Sequence, residues 1–188
     1  MLIRVEIPVD AQPVAQLLNR AFPSPAEAEL VQALREAGQL TLSLVAVDDE
    51  GQCIGYLAFS PLLLDGNDYQ WVALAPLAVD PAYQGQGIGQ ALVQEGLNSL
   101  NEFGYAAAVV LGDPRYYARF GFAPVSADVA PCPWSEYQSA FQLLKLDGFK
   151  RHRRRCRRSI MRSRLATCST ILFAQGLHNL TQNRGDRR

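Results

Sequence analysis

Nowhere in its 188 residues does the chain hold an unbroken apolar run of about 18, so no membrane-spanning helix is expected. Met1 to Asp10 lacks a basic segment followed by an apolar stretch, which argues against an export signal and for a cytoplasmic protein. Cysteine is sparse: Cys53, Cys132, Cys156 and Cys168 are scattered without Cys-x-x-Cys spacing and read as reduced thiols with no shared task. Histidine is scarcer still, with His152 and His178 alone and no metal-ligand spacing around them, so no metal is expected. Charge is modest at 19% of residues against 48% hydrophobic, a balance that folds and excludes a disordered chain. The length suits one α/β domain with a real core and is too short for two comfortable ones.

Basic residues are also missing from most of the chain. Residues 1 to 147 carry six Lys or Arg against seventeen Asp or Glu, a net of −11, whereas residues 148 to 188 carry twelve against one, a net of +11. This shift near Asp147 and Gly148, followed at once by the run from Lys150 to Arg158, predicts a catalytic or binding domain over 1–147 and a separate arginine-rich tail over 148–188. Such a tail could neutralise nucleic-acid phosphates. No nucleic-acid-binding motif accompanies it, however, and a body at −11 repels phosphate, so a nucleic-acid-binding protein is the weaker alternative.

Alternation of Ile3, Val5 and Ile7 with Arg4 and Glu6 predicts a strand over Leu2 to Ile7. Asp10 is placed to cap a helix through Ala21. Ser24-Pro25-Ala26-Glu27 has the form of a capping box for a second helix ending at Ala37 before Gly38. Leu40 to Val47 and Cys53 to Phe59 read as antiparallel strands joined at Asp49-Glu50-Gly51, and Asp65 to Asp68 as another turn. Trp71 to Val79 has strand length, but Pro76 cannot donate to a ladder and implies a bulge, an edge or a parting of strands. Ile88 to Phe103 is the clearest helix: Ile88, Leu92, Val93, Gly96, Leu97, Leu100 and Phe103 share one half of its wheel. Beyond Gly104, Ala106 to Leu111 reads as a buried strand, Pro114 to Phe120 as a short helix and Phe141 to Leu146 as a last strand.

Between strand and helix stands Asp80-Pro81-Ala82-Tyr83-Gln84-Gly85-Gln86-Gly87-Ile88-Gly89. Glycines let backbone N–H groups approach a ligand, and a helix start adds unpaired donors and partial positive charge, so a phosphate fits there. A P-loop would need Lys and Ser or Thr after its last glycine, but Ile88 and Gly89 follow Gly87. A dinucleotide fingerprint starting at Gly85 would need glycine where Gln90 stands, and the preceding strands look antiparallel instead of forming a βαβ unit. ATP and NAD are both disfavoured.

Gln84, Gly87 and Gly89 meet the pattern Gln/Arg-x-x-Gly-x-Gly/Ala, and the whole stretch Leu77 to Gly89 closely resembles the strand and acetyl-CoA loop of the GNAT superfamily of N-acetyltransferases. Leu111-Gly112-Asp113-Pro114-Arg115-Tyr116-Tyr117-Ala118-Arg119-Phe120-Gly121-Phe122 resembles a bacterial, acetyl-CoA-dependent branch of the same superfamily. The resemblance spans about residues 1 to 147. It implies an α/β fold of the α+β mixed-sheet kind, a central, mostly antiparallel sheet flanked by helices. It also implies transfer of an acetyl group from acetyl-CoA to a primary amine of a small molecule or peptide, by direct attack in a ternary complex. By the same resemblance, backbone groups near Leu77 and Val79 hold the pantetheine arm. Amides of Gln84, Gly85, Gln86, Gly87, Ile88 and Gly89, with Gln90, bind the pyrophosphate. Tyr117, four residues before Gly121, stands where the family's tyrosine protonates the leaving sulfur. Without the resemblance, Tyr117 reads as a packing aromatic.

The general base has no such signature. Glu27 and Glu29 could face the acceptor cleft, but Glu27 is equally explained by the capping box and Glu29 by solvation, and a water could do the work. Asp113 is better read as the cap of the short helix than as a catalytic group. The negative body favours a cationic acceptor, and the resemblance leaves a homodimer open. A catalytically silent acyl-CoA-binding domain is the other alternative, since folds outlast activities.

Overall fold

The computed structural model describes residues 1–64, 66–125 and 135–149. The tail from residue 150 onward, with His152, His178, Cys156 and Cys168, lies outside the described residues, as do Cys132 and Asp65 of the expected turn. The strands are β1 (Leu2–Val5), β2 (Leu42–Val47), β3 (Cys53–Leu64), β4 (Asn67–Val79), β5 (Ala107–Leu111), β6 (Ala123–Pro124) and β7 (Phe141–Lys145). The helices are α1 (Ala11–Ala21), α2 (Ala26–Glu36), α3 (Ile88–Glu102) and the single turn α4 (Pro114–Tyr117). The sheet runs β1-β2-β3-β4-β5-β7-β6. β4 and β5 are parallel, whereas β1–β2, β2–β3, β5–β7 and β6–β7 are antiparallel. No helix among the described residues is long and apolar enough to cross a membrane.

By internal contacts the chain divides into two compact units. The first contains Met1–Ser60 and Ala75–Asn98. On one side of its strands, Val14, Leu17 and Leu18 of α1 and Val31 of α2 pack with Val45, Tyr56, Ala58 and Ala78. Strand side chains alternate between faces, so Gly55, Leu57 and Phe59 look the other way, and there α3 lies on the sheet. A Cβ at Gly55 would stand 2.9 Å from Leu92 Cδ1, and one at Gly96 only 2.6 Å from Phe59 Cε2. Bare backbone on both elements is what lets helix and strand approach so closely.

That approach sets up a test of packing against propensity. Alanine improves on glycine in a helix interior by about 1 kcal/mol, but forcing a carbon against the fully buried Phe59 ring costs about 1–3 kcal/mol. An approach of 2.6 Å puts the clash in the upper part of that range, so Gly96→Ala is expected to destabilise the protein by up to about 2 kcal/mol in denaturant unfolding. A variant at least as stable as the parent would show that α3 does not sit on Phe59 as described.

Asp10 immediately precedes α1 but does not cap it with its side chain. Its carboxylate takes Arg4 in two bonds of 2.6 and 2.8 Å and accepts from Ile7 N at 2.8 Å. The Arg4 hydrogen bonds hold its pKa below the usual carboxylate value despite burial. At α2 the N-cap is Pro25, with no side-chain cap bond, so Ser24 does not cap the helix as expected; its Oγ accepts only a long 3.4 Å bond from Ala26 N, and Glu27 is 3% exposed. Arg35 of α2 pairs with Glu6, which also accepts from Tyr56 Oη at 3.1 Å.

The second unit contains Pro61–Leu74 and, among the described residues, everything from Ser99 onward. The β4–β5 register runs from Trp71↔Ala107 to Leu74↔Val110 and stops two residues before Pro76, whose bond to Ala75 is cis. The interruption expected at Pro76 is therefore the point where this ladder ends. Beyond β7, Asp147 N donates to Asn101 Oδ1 at 2.9 Å, and Gly148 lies so near Gly104 that a Cβ would stand 2.2 Å from its carbonyl oxygen.

Candidate active site

Leu77 and Val79 lie toward the end of β4 in the first unit. Buried Ala78 faces the α1–α2 cluster, so its half-buried neighbours point away from it. Asp80 then turns the chain. Its backbone N donates to Ile54 O at 2.9 Å, and its carboxylate accepts from Ala82 N at 3.0 Å and from Arg20 Nε at 2.8 Å. The side chain thus caps the turn Pro81–Tyr83 and ties it to the last turn of α1. Tyr83 Oη reaches across to Asp48 at 3.2 Å. Asp48 also accepts from Glu50 N and Gln52 N in the β2–β3 turn. The Gln52 amide is the main reason its carboxyl titrates low, and the Asp48 bond is the main reason the Tyr83 phenol titrates high.

Gln84, Gly85, Gln86 and Gly87 are exposed, with Gly85 at φ 77° and Gly87 at φ 84°, the left-handed region that glycine enters without strain. Gln84 Nε2 donates to Val79 O at 3.1 Å, so this side chain straps the loop to the strand end. The first bond of α3 runs from Ala91 N to Gly87 O at 2.9 Å. The amides of Ile88, Gly89 and Gln90 therefore stand ahead of the helical ladder, at the positive end of a 15-residue dipole. The Ile88 side chain is buried and anchors the helix start, whereas Gln90 is exposed. A row of backbone donors without acidic side chains suits a diphosphate, and the residues present fit one.

In the second unit, Asp113 accepts from Arg115 N at 2.9 Å and pairs with the Arg115 side chain, which is the capping role expected of it. Tyr117 closes α4 and is 8% exposed. Its ring meets Tyr116, Phe120 and Phe122 edge-on or tilted, with centroids 5.0, 6.4 and 5.7 Å away. It also lies so close to Gly112 that a Cβ there would stand 2.4 Å from Cε2. Its hydroxyl takes no hydrogen bond among the described residues. Burial pushes the phenol pKa up, so the proton stays on. Of the candidate bases, Glu27 is buried and Glu29 exposed. The sequence offered no reason to single out Gly112 or Gln142. The latter is 0% exposed and bonded to the Gly112 carbonyl.

The model of the acetyltransferase (GNAT) family matches residues 11–122, and the chain belongs to that family of acyltransferases. It is 60% identical over 146 residues to the uncharacterized N-acetyltransferase YhbS of Escherichia coli K12, covering 78% of this chain and 87% of the relative. It resembles the crystal structure of E. coli YhbS in complex with CoA with a TM-score of 0.75 at 59% identity, over 79% and 83% of the two chains. A Brucella melitensis GNAT acetyltransferase in complex with acetyl-CoA gives a TM-score of 0.66 at 42% identity, over 77% and 86%. The mixed α/β sheet and the family expected from Gln84 to Gly89 and from Leu111 to Phe122 are both borne out.

Proposed function

We propose that the protein transfers an acetyl group from acetyl-CoA to a primary amine in the cytoplasm. The pyrophosphate would lie on the amides of Gln84 to Gly89 with Gln90, and the pantetheine arm along the backbone at Leu77 and Val79. The observation that carries this reading is the pair of left-handed glycines opening onto amides at the start of α3 that stand ahead of its helical ladder. CoA in the relative's crystal structure supports it. In the chemical step the neutral amine nitrogen attacks the thioester carbonyl carbon, the carbon–sulfur bond breaks, and the Tyr117 hydroxyl gives its proton to the departing thiolate. The surplus proton on nitrogen leaves to water or a carboxylate, and water restores the phenol.

A body at −11 concentrates cations, so the acceptor class is cationic amines. Release of CoA thiol from acetyl-CoA, screened over polyamines, amino acids, aminoglycosides and peptide N-termini, is expected to find its best acceptors among the multiply charged amines, with rates falling as salt rises. Reaction only with neutral or anionic amines at salt-independent rates would sink the acceptor class. No turnover with any amine, despite tight CoA binding, would make this a silent binding domain.

The same reading puts catalysis in residues 1–147 and leaves the basic tail outside it. A chain ending at Phe149 is expected to melt cooperatively, within a few degrees of the full chain, and to bind CoA equally well. Exposed ion pairs between tail and body would add only about 0.2–1 kcal/mol each. Loss of cooperative melting or of CoA binding would move the domain boundary.

A further inference from the structure

Gln142 lies in β7 with β5 on one side and β6 on the other, paired to Val110 and Pro124, and is fully buried. Its Nε2 donates to Gly112 O at 3.1 Å and to Ala140 O at 3.3 Å. Ala140 O in turn accepts from Gly112 N at 3.2 Å. Both polar backbone atoms of Gly112 are thus held, one by the Gln142 side chain and the other by the carbonyl two residues before it. The opposite end of the amide, Oε1, is buried and has no hydrogen-bond partner among the described residues.

An unpaired buried acceptor is a cost that an apolar side chain of similar size would not carry. Its position indicates what is gained, because the residue it fixes is the floor under the Tyr117 ring. Gly112 is not among the positive-φ glycines and needs to be glycine for space, since a Cβ would stand 2.4 Å from Tyr117 Cε2. Any shift of the Gly112 peptide moves the surface on which the phenol rests. We infer that Gln142 is a positioning residue for the acetyl-transfer step, aiming the Tyr117 hydroxyl through the Gly112 peptide. This rests on the proton-donor role proposed for Tyr117.

The experiment compares Gln142→Leu, Gly112→Ala, Tyr117→Phe and the double variant Gln142→Leu/Tyr117→Phe in the full chain. The readouts are CoA thiol release from acetyl-CoA with the best amine of the screen, CoA affinity by calorimetry, and melting temperature. Gln142→Leu frees the Gly112 carbonyl but also removes the unpaired Oε1. The two changes oppose each other, so melting is expected to shift by only a few degrees. Its kcat should fall about tenfold, with the acetyl-CoA KM and CoA affinity within twofold, because only aim is lost. Gly112→Ala, which drives a carbon into the ring, should lower kcat at least as much by an independent route.

In the double variant kcat should equal that of Tyr117→Phe alone, since Gln142 has nothing left to aim. Full multiplication of the two losses, or an unchanged kcat in Gln142→Leu while Tyr117→Phe is slow, would overturn the inference and leave the donor role standing. An unchanged kcat in Tyr117→Phe would overturn both. If Gln142→Leu does not fold, Gln142→Glu decides. Buried and neutral at low pH, its carboxyl can donate to Gly112 O; ionised at higher pH, it cannot. Its kcat relative to the parent should therefore fall as pH rises, and a flat ratio would overturn the inference.

Discussion

Gly87→Asp is expected to weaken CoA binding at least about 100-fold, or about 2.7 kcal/mol, in a protein that still folds. Nothing lies within 4 Å of the space a Cβ would occupy at Gly87, so the substitution breaks no packing. It adds a carboxylate beside the proposed diphosphate. A single like-charge contact at about 4 Å is worth about 4 kcal/mol near a protein surface. The left-handed backbone, φ 84°, adds about 1–2 kcal/mol for a residue with a side chain. Gly87→Asn separates the two effects, since it has the same shape and backbone demand without the charge. Calorimetry should give Asn a loss of tenfold or less and Asp the full loss. Equal losses would make the backbone conformation the cause. Unchanged affinity in a folded Gly87→Asp protein would place the pyrophosphate elsewhere.

Tyr117→Phe is expected to lower kcat by about 100-fold or more, in the usual range for general acid catalysis, with CoA affinity within twofold. The ring keeps its contacts with Gly112, Tyr116, Phe120 and Phe122. Losing the hydroxyl orphans no group among the described residues, so melting should hardly change. Burial raises the phenol pKa above its ordinary value, so the proton is retained throughout the range in which amine acceptors become neutral. The parent's rate should accordingly rise with pH as the acceptor deprotonates, without an alkaline fall from Tyr117. Single-turnover kinetics ensure that chemistry is read. An unchanged rate there would assign thiolate protonation to water and leave Tyr117 a packing residue.

The glycine loop ahead of α3 was legible because everything it requires is local: glycine spacing, the preceding strand and the amphipathic helix after it lie within about 25 residues. What holds the loop was not. Arg20 with Asp80 and Asp48 with Tyr83 are pairs 60 and 35 residues apart, and no window of sequence reveals that they meet. The helical wheel of α3 placed Ile88, Leu92, Val93, Leu97 and Leu100 inward, as found, but put Phe103 on the same side although it is 62% exposed. The helix ends at Glu102, one residue earlier, and a wheel carries no information about where a helix stops. Asp10 had the spacing of a cap and became the partner of Arg4 instead, because a two-bond ion pair outcompetes one cap bond. Gln142 was invisible for the opposite reason. A glutamine in Phe141-Gln142-Leu143-Leu144-Lys145 reads as a solvent-facing residue, and only the strands on either side of it show otherwise.

The bare contact between α3 and β3 also acts as a mechanical linkage. A helix of 15 residues is a nearly rigid rod about 22 Å long. Gly96 lies near its middle, and Gly55 meets Ile88 and Leu92 in its first two turns. A side chain at either glycine too large for its neighbours to yield to would lift the rod from the strand, and the amides at its tip would move with it. If the loop holds the donor as proposed, loop chemistry and core spacing are one adjustable quantity, and a selection for altered donor affinity should return substitutions at positions 55 and 96, buried under the helix, as readily as changes in the exposed loop itself.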